Sequence, residues 1–484
     1  MNAQISEEVH ALCRRYQALA LNEDPTTLTI ALNEEAPQGL LAALRFATGK
    51  RIHLEQWPAA RLEQALNQRQ EPLPAPLAAE EDSADIAYPD DGDAPVVQFI
   101  NQTLRLAIQR RASDVHFEPF RQHFRIRLRI DGVLQTLASP SPQLTARLIA
   151  RLKILGQLDI AERRQPQDGQ LSLTLGGARY AMRIATLPTL HGEKVVLRVQ
   201  QGEQQELPLD QLGMSRADLA RYAAALACPQ GLILVTGPTG SGKTVTLYSG
   251  LRQLNDAQSN LCSVEDPIEI PLFGVNQTQI NAKTELSFAR VLRALLRQDP
   301  DVIMIGEIRD AETAEIAVKA AQTGHLVLST LHTNSTGETL TRLMHMGIPG
   351  YLLAGCLKLV IAQRLVRRLC RHCRYPHSQP THFPASVWPE PLTAWRADGC
   401  EHCFGGYYGR IGVYELLPIT PEIQAALLAN AAPSRLADIA REQGLLSLLQ
   451  AGLALASEGA TSLEELYRVI DVVQLRATAP GKRG

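Results

Sequence analysis

The stretch "VTGPTGSGKTVTLY", residues 235–248, decides how this chain is read. Gly237, four intervening residues, then Gly242-Lys243-Thr244 is the spacing of a loop that wraps phosphate. The glycines are needed because backbone N–H groups must point inward at the oxygens with no Cβ in the way. The loop comprises Gly237, Pro238, Thr239, Gly240, Ser241, Gly242, Lys243 and Thr244. A helix starting near Lys243 adds the positive end of its dipole. Lys243 supplies a point charge for the β- and γ-phosphates, and the Thr244 hydroxyl is the expected ligand of Mg²⁺. The run "GLILVTG" (231–237) reads as a buried parallel strand, and Leu247, Leu251 and Leu254 mark one face of the following helix. A chance match in a glycine-containing turn would lack that strand–loop–helix setting. ATP is the expected ligand.

Outward from the loop, the pattern after about residue 206 alternates strand and helix. Residues 287–298 carry Phe288, Val291, Leu292, Leu295 and Leu296 at helical spacing, and Asp299-Pro300 ends the run. "DVIMIGE" (301–307) is the next buried strand. This is a doubly wound α/β pattern. A phosphate loop needs a carboxylate at the end of a neighbouring strand to organise magnesium and water, and Glu307 is the candidate. "VEDPIE" (264–269) offers Glu265, Asp266 and Glu269; taken alone it is open between a surface turn and part of the site. If that segment belongs to the site, Glu269 is expected as the water-polarising base and Glu307 as the magnesium-side carboxylate. His325 and His332, in "GHLVLSTLHT", bracket another short strand. A lone histidine is usually structural, but two flanking a buried strand could both reach a strand-end cleft.

The bulk numbers set limits. A chain of 484 residues exceeds one ordinary core, so two to four domains are expected. Forty-eight basic against fifty acidic residues give a net charge of −2, which supplies no electrostatic reason to expect nucleic acid as the main partner. The longest apolar run, "YLLAGCLKLVIA" (351–362), is too short for a membrane helix and contains Lys358. The N-terminus lacks the apolar core of a secretory signal, so a cytoplasmic protein is expected.

Residues 1–70 mix helical patterns with one strand-like segment, "TLTIAL" (27–32). Residues 71–95 hold eight acidic residues, five prolines and no Lys or Arg, the composition of an extended linker. Residues 96–205 read as an α+β domain. Its helix (96–112) has apolar Val97, Ile100, Leu104 and Ile108. In "FRIRLRIDG" (124–132) Phe124, Ile126, Leu128 and Ile130 face one side, and Arg125, Arg127 and Arg129 the other. Asp131-Gly132 closes that strand with a hairpin turn. Further strands are expected at 179–188 and 193–200.

Cys370 and Cys373 in "CRHC", with Cys400 and Cys403 in "CEHC", form two C-x₂-C pairs separated by 26 residues. Four thiolates presented on two tight turns make a closed tetrahedral site for a structural Zn²⁺. Cys13, Cys228, Cys262 and Cys356 are isolated and read as small buried residues.

"GPTGSGKT", "SVEDPIE", "DPDVIMIGEIRDAETAEIAVKAAQTGHLVLSTLHTN", "RASDVHFEP" and "RQPQDGQ" together closely resemble the secretion ATPase superfamily, the motors of type II secretion and type IV pilus assembly. The likeness spans roughly residues 96–420. It implies a RecA-like P-loop ATPase core on a doubly wound parallel sheet (206–484), preceded by the α+β domain (96–205), the linker (71–95) and a small N-terminal docking domain (1–70). A zinc-bearing insertion (366–415) is typical of assembly and secretion motors. By resemblance Lys243 and Thr244 fall in the Walker A box, Glu265 to Glu269 in the Asp box, Glu307 in the Walker B box, and His325 and His332 in the His box. Arg127 and Arg183 match strand arginines that face the ATP cleft. The resemblance further implies a homohexamer held at the inner membrane through a platform protein. The alternatives are a motor for DNA uptake or conjugation, and a RecA-type nucleic-acid helicase. A helicase would be expected to show a basic, aromatic-lined channel, yet charge is balanced and aromatics are 5%.

Overall fold

The computed structural model describes residues 94–175, 178–200 and 207–470, and, before them, the segments 18–24, 26–33 and 50–58 with residues 9, 13, 40, 41, 44, 45, 48, 61 and 62. Almost all of the expected linker lies outside the described residues. The chain forms two compact units, one of residues 67–205 and the other of residues 1–66 together with 206–484.

The N-terminal segment holds a three-stranded sheet in the order β1 (Leu19–Glu23), β2 (Thr27–Leu32), β3 (Arg51–Gln56). β2 is antiparallel to β1 and parallel to β3. Leu28 and Ile30 of β2, with Leu40 and Leu44, share one hydrophobic core with Ala362, Val366, Leu453 and Leu466.

The first described element of the 67–205 unit is α1 (Ala94–Gln109). Its buried stripe is Val96, Ile100, Leu104 and Ala107, rotated from the expected one because Val97 and Ile108 are only half-buried. The helix also ends earlier than its sequence suggests. Arg111 takes a left-handed φ of 54°, and Ala112 already begins β4 (Ala112–Pro119). β5 (Phe124–Ile130) alternates as read: its four apolar residues are buried and its three arginines half-exposed. Asp131 and Gly132, at φ 48° and 85°, form the left-handed pair of a tight hairpin into β6 (Val133–Ala138). α2 (Thr145–Leu155), β7 (Gln167–Leu175), β8 (Ala178–Thr189) and β9 (Gly192–Gln200) complete an antiparallel sheet of order β6-β5-β4-β9-β8-β7. Lys153 of α2 is buried against Glu193, 2.7 Å away, and its ammonium also donates to the Glu162 carbonyl. That pair fixes α2 to the sheet.

The second unit continues with α3 (Arg216–Leu226), β10 (Gly231–Thr236), α4 (Lys243–Leu254), β11 (Leu261–Glu265), β12 (Val275–Gln279), α5 (Phe288–Leu295), β13 (Val302–Ile305), α6 (Ala311–Gln322) and β14 (Leu326–Leu331). α7 (Thr336–His345), α8 (Gly350–Cys356), β15 (Leu357–Leu369), β16 (Arg374–Pro376), β17 (Trp395–Ala397) and β18 (Tyr407–Pro418) follow. Four helices close the described chain: α9 (Pro421–Leu428), α10 (Pro433–Glu442), α11 (Leu448–Ser457) and α12 (Leu463–Val469).

Seven strands make one sheet of order β12-β11-β13-β14-β10-β15-β18. Every pair is parallel except β15 with β18. All residues of β10, β11, β13 and β14 are buried, as a parallel sheet covered by helices on both faces requires. This is the doubly wound α/β core that the sequence pattern indicates. α5 buries Phe288, Val291, Leu292 and Leu295 and is N-capped by Ser287; Leu296, also expected on that face, is partly buried.

The fully buried carboxylate of Glu465 on α12 accepts from Arg367 of β15 (2.8 Å) and from Arg468. Burial pushes the Glu465 carboxyl up, but the two guanidiniums more than offset that, bring it below the ordinary range and hold it ionised. Leaving such a charge unpaired costs about 3 to 5 kcal/mol, so this network clamps the C-terminal helices to the sheet.

Candidate active site and metal centre

β10 ends at Thr236, and Gly237 leaves it at φ 150°. A Cβ there would lie 2.5 Å from the Gln363 carbonyl oxygen, so only glycine fits the turn. Gly240 and Gly242 are also left-handed, at φ 79° and 86°, and Gly242 caps α4. Pro238, Thr239 and Gly240 are exposed, which leaves the rim of the loop open to a ligand. Lys243 begins α4, and its ammonium donates to the carbonyls of Gly237 (2.9 Å) and Pro238 (3.1 Å). Thr244 is exposed on the first turn. The Ser241 hydroxyl is buried without a partner among the described residues. An orphaned donor and a lysine parked on carbonyls, at the start of a helix, fit a bound phosphate chain.

The parallel sense of the sheet brings the ends of four strands to one edge. Glu307, two residues past β13, lies 3.1 Å from Nε2 of His332, the residue after β14. Arg309 also holds Glu307 and reaches Asp266, just past β11, at 3.5 Å. Burial pushes the Glu307 carboxyl up, but Arg309 and His332 bring it below the ordinary range, so it is ionised. Lys243 is pushed down to about 8 by burial and by the positive charge of Arg364, against the pull of Glu307. Glu269 is exposed at the end of the turn that follows β11.

Two expected members behave differently. His325 precedes β14 and therefore sits at the opposite end of that strand from His332. Its carbonyl accepts from the N–H of Gly231 at the foot of β10, and its Nδ1 lies 3.0 Å from the Ala320 carbonyl. The fold does not bring it to the cleft. Glu265 is buried and bound on three sides, by the Tyr248 hydroxyl, the Ser263 hydroxyl (2.6 Å) and the Gln277 amide (3.0 Å). It shapes the turn that carries Asp266 and Glu269.

On the 67–205 unit, Arg127 donates to Glu118 (2.7 Å), which Arg125 and Lys194 also approach. Burial pushes the Glu118 carboxyl up, but Arg127 and Lys194 carry it down to about 2. Arg183 is half-buried on β8, opposite Arg198 of β9.

Cys370 follows β15 directly, and Cys403 lies shortly before β18, so the four cysteines sit in an excursion between these two antiparallel strands. Their sulfurs all lie within 4.8 Å of one another. The separations Cys370–Cys400, Cys373–Cys403 and Cys400–Cys403 are 3.7, 3.8 and 3.7 Å. A tetrahedron with Zn–S bonds of about 2.3 Å has edges of about 3.8 Å, so the donor set fits zinc in size as well as chemistry.

The sequence profile described as type II/IV secretion system protein matches residues 89–468. The chain belongs to that family. Residues 5–75 match the profile of the MshEN domain. The protein transport protein HofB homolog of Escherichia coli (strain K12) is 52% identical over 463 residues, 96% of this chain and 98% of the relative. The type IV pilus assembly ATPase PilB of Pseudomonas aeruginosa is 48% identical over 398 residues, 81% of this chain and 70% of PilB. The pilus retraction motor PilT, solved with bound ADP, superposes with a TM-score of 0.51 at 27% identity, covering 79% of this chain and 98% of PilT. As a family member this chain is a secretion ATPase, which hydrolyses ATP. No helix among the described residues is long and apolar enough to cross a membrane.

Two outcomes follow from the geometry. In the empty loop Lys243 loses its proton as pH rises through about 8, whereas a bound phosphate chain favours the charged form. Nucleotide binding should therefore take up almost no proton at about pH 7 and close to one at about pH 9, with affinity falling over that interval. Calorimetry of ADP binding in buffers of different ionisation enthalpy measures this, and absence of uptake at the higher pH would contradict it. Metal analysis of freshly purified protein should find about one zinc per chain, lost when Cys373 is replaced by Ser.

Proposed function

We propose that the chain is the hexameric motor of a type IV pilus or type II secretion pseudopilus, spending ATP on an inner-membrane platform protein that adds pilin-like subunits. The observation that carries this reading is the convergence of Lys243, Glu307 and His332 on one sheet edge in a chain whose family match covers most of its length. The chain's own residues divide the work. Loop amides, Ser241 and Lys243 bind the phosphates, and Thr244 and Glu307 face the side where Mg²⁺ would be held. Bound magnesium would neutralise phosphate charge there. Glu269, exposed and free to meet water, is the proposed base that polarises the attacking water. His332 holds Glu307 in place. The 1–70 segment is proposed to dock the motor on its partner, the 71–95 linker to let the 96–205 domain move, and the tetracysteine excursion (366–415) to be structural. The protein is proposed to work on the cytoplasmic face of the inner membrane.

The arginines supply the proposed link between chemistry and motion. As the γ-phosphate gains charge in the transition state, Arg127 and Arg183 of the 96–205 domain would meet its oxygens and release them after phosphate departs. Arg127 would exchange Glu118 for phosphate, a swap of one anion for another. Arg183 makes no ion pair among the described residues and is available outright.

The expected results separate these roles. Lys243→Ala should abolish turnover. Glu269→Gln and Glu307→Gln should each lower it by a factor of about a hundred or more while sparing ADP binding. Arg127→Ala and Arg183→Ala should bind ADP normally and turn over at least about tenfold more slowly. Steady-state ATPase assays with fluorescence binding of ADP measure all five variants. Full turnover in both glutamine variants would show the carboxylates to be misassigned, and unchanged turnover in both arginine variants would remove the proposed clamp.

A further inference from the structure

Two consecutive residues of β15, Gln363 and Arg364, lie under the phosphate loop, and nothing in the ATPase reading above assigns them. Both are almost wholly buried, at 2% and 6% exposure. Because neighbours on a strand point to opposite faces, they reach different parts of the site. Gln363 turns toward α4, where its side-chain oxygen accepts from the Thr246 hydroxyl at 2.7 Å. Arg364 turns the other way. Its Nη1 donates to the Gln363 carbonyl (3.0 Å), and its Nη2 to both the backbone carbonyl (2.9 Å) and the side-chain oxygen (3.2 Å) of Asn334.

The place of these contacts gives them meaning. Nη1 lies 3.3 Å from where a Cβ of Gly237 would stand, so the guanidinium backs directly onto the first residue of the loop. Asn334 is two residues beyond His332, whose ring touches Glu307. Thr236 makes a second stitch between the same two segments. Its hydroxyl accepts from the Thr333 N–H (3.0 Å) and lies within hydrogen-bond distance of the Leu331 and Thr333 carbonyls. One planar group with donors fixed in a fork therefore ties β15, at the Gln363 carbonyl on which the Gly237 turn rests, to the segment that carries His332. A lysine, with a single compact ammonium, cannot span both ends.

We propose that Arg364 is a positioning residue for hydrolysis: its bridge from β15, beneath the Gly237 turn, to Asn334 sets where His332, and through it Glu307, stands relative to bound phosphate. The inference rests on the assignment of His332 and Glu307 to the active site. Its signature is a loss of turnover without a matching loss of nucleotide binding, because Lys243 and the loop amides remain in place.

The experiment uses the full-length chain and measures kcat, KM and ADP affinity for Arg364→Lys, Asn334→Ala, His332→Ala and the double variant Arg364→Lys/His332→Ala. Arg364→Lys should lower kcat at least about tenfold while changing ADP affinity less than about threefold, and Asn334→Ala should lower kcat about threefold. The double variant should turn over within about twofold of His332→Ala, since the bridge has nothing left to position. Should Arg364→Lys fail to fold, Asn334→Ala, a surface-loop truncation with Arg364 intact, carries the same test. Normal turnover in Arg364→Lys and Asn334→Ala beside an impaired His332→Ala overturns the proposal alone. Additive losses in the double variant, or a loss confined to KM, overturn it as well. Normal turnover in His332→Ala overturns the site assignment on which it stands.

Discussion

The backbone at Gly237 is the constraint on which the rest of the site depends. β10 ends hard against β15, with so little space that a Cβ at this position would fall 2.5 Å from the Gln363 carbonyl oxygen. A residue with no side chain lets the chain turn at a positive φ and start the loop at once, directly over the sheet edge. α4 then begins at Lys243, its first amides and ammonium aimed at the same small volume. A bulkier residue at 237 would push the loop off the edge and separate Lys243 from the carboxylates supplied by the neighbouring strands.

Those carboxylates arrive because the strands are parallel. Chain leaving β10, β11, β13 and β14 emerges at one edge, so Gly237, Asp266, Glu307 and His332 become neighbours although they are far apart in sequence. The charges at that edge are arranged for an anion. Burial and the nearby Arg364 weaken the hold of Lys243 on its proton, while Glu307 is kept ionised by Arg309 and His332. A phosphate chain entering the loop supplies the negative charge that Lys243 lacks and the partner that Ser241 lacks.

Much of this was legible in the residues because local chemistry forces it. The period-2 alternation of β5 and the Asp131-Gly132 turn take the form their residues indicate, the glycines of the 237–242 spacing adopt positive φ, and the paired C-x₂-C motifs bring four sulfurs within 4.8 Å of one another. Features set by tertiary contact were not legible. His325 and His332 look alike in sequence, flanking one apolar run. Only the direction of β14 within the sheet puts one at the phosphate edge and the other at the far end. Glu265 reads as one more acid in an acidic turn, and its burial comes from Tyr248 and Gln277 on other elements. The contact of Gln363 with Thr246, 117 residues away, exists because β15 lies beside β10. The buried face of α1 keeps Ile100 and Leu104 but takes Val96 in place of Val97 for a simpler reason: the two valines are chemically identical, and packing alone chooses between them.

The central claim is that ATP phosphates occupy the loop from Gly237 to Thr244, with Lys243 as their principal cation. The most direct measurement is a structure of the full-length protein bound to a non-hydrolysable ATP analogue with magnesium. The account predicts that the Lys243 ammonium leaves the Gly237 and Pro238 carbonyls for the β- and γ-phosphates, while the Ser241 hydroxyl gains a phosphate partner. A nucleotide bound elsewhere, or a Lys243 still resting on those carbonyls with the analogue in place, would contradict it.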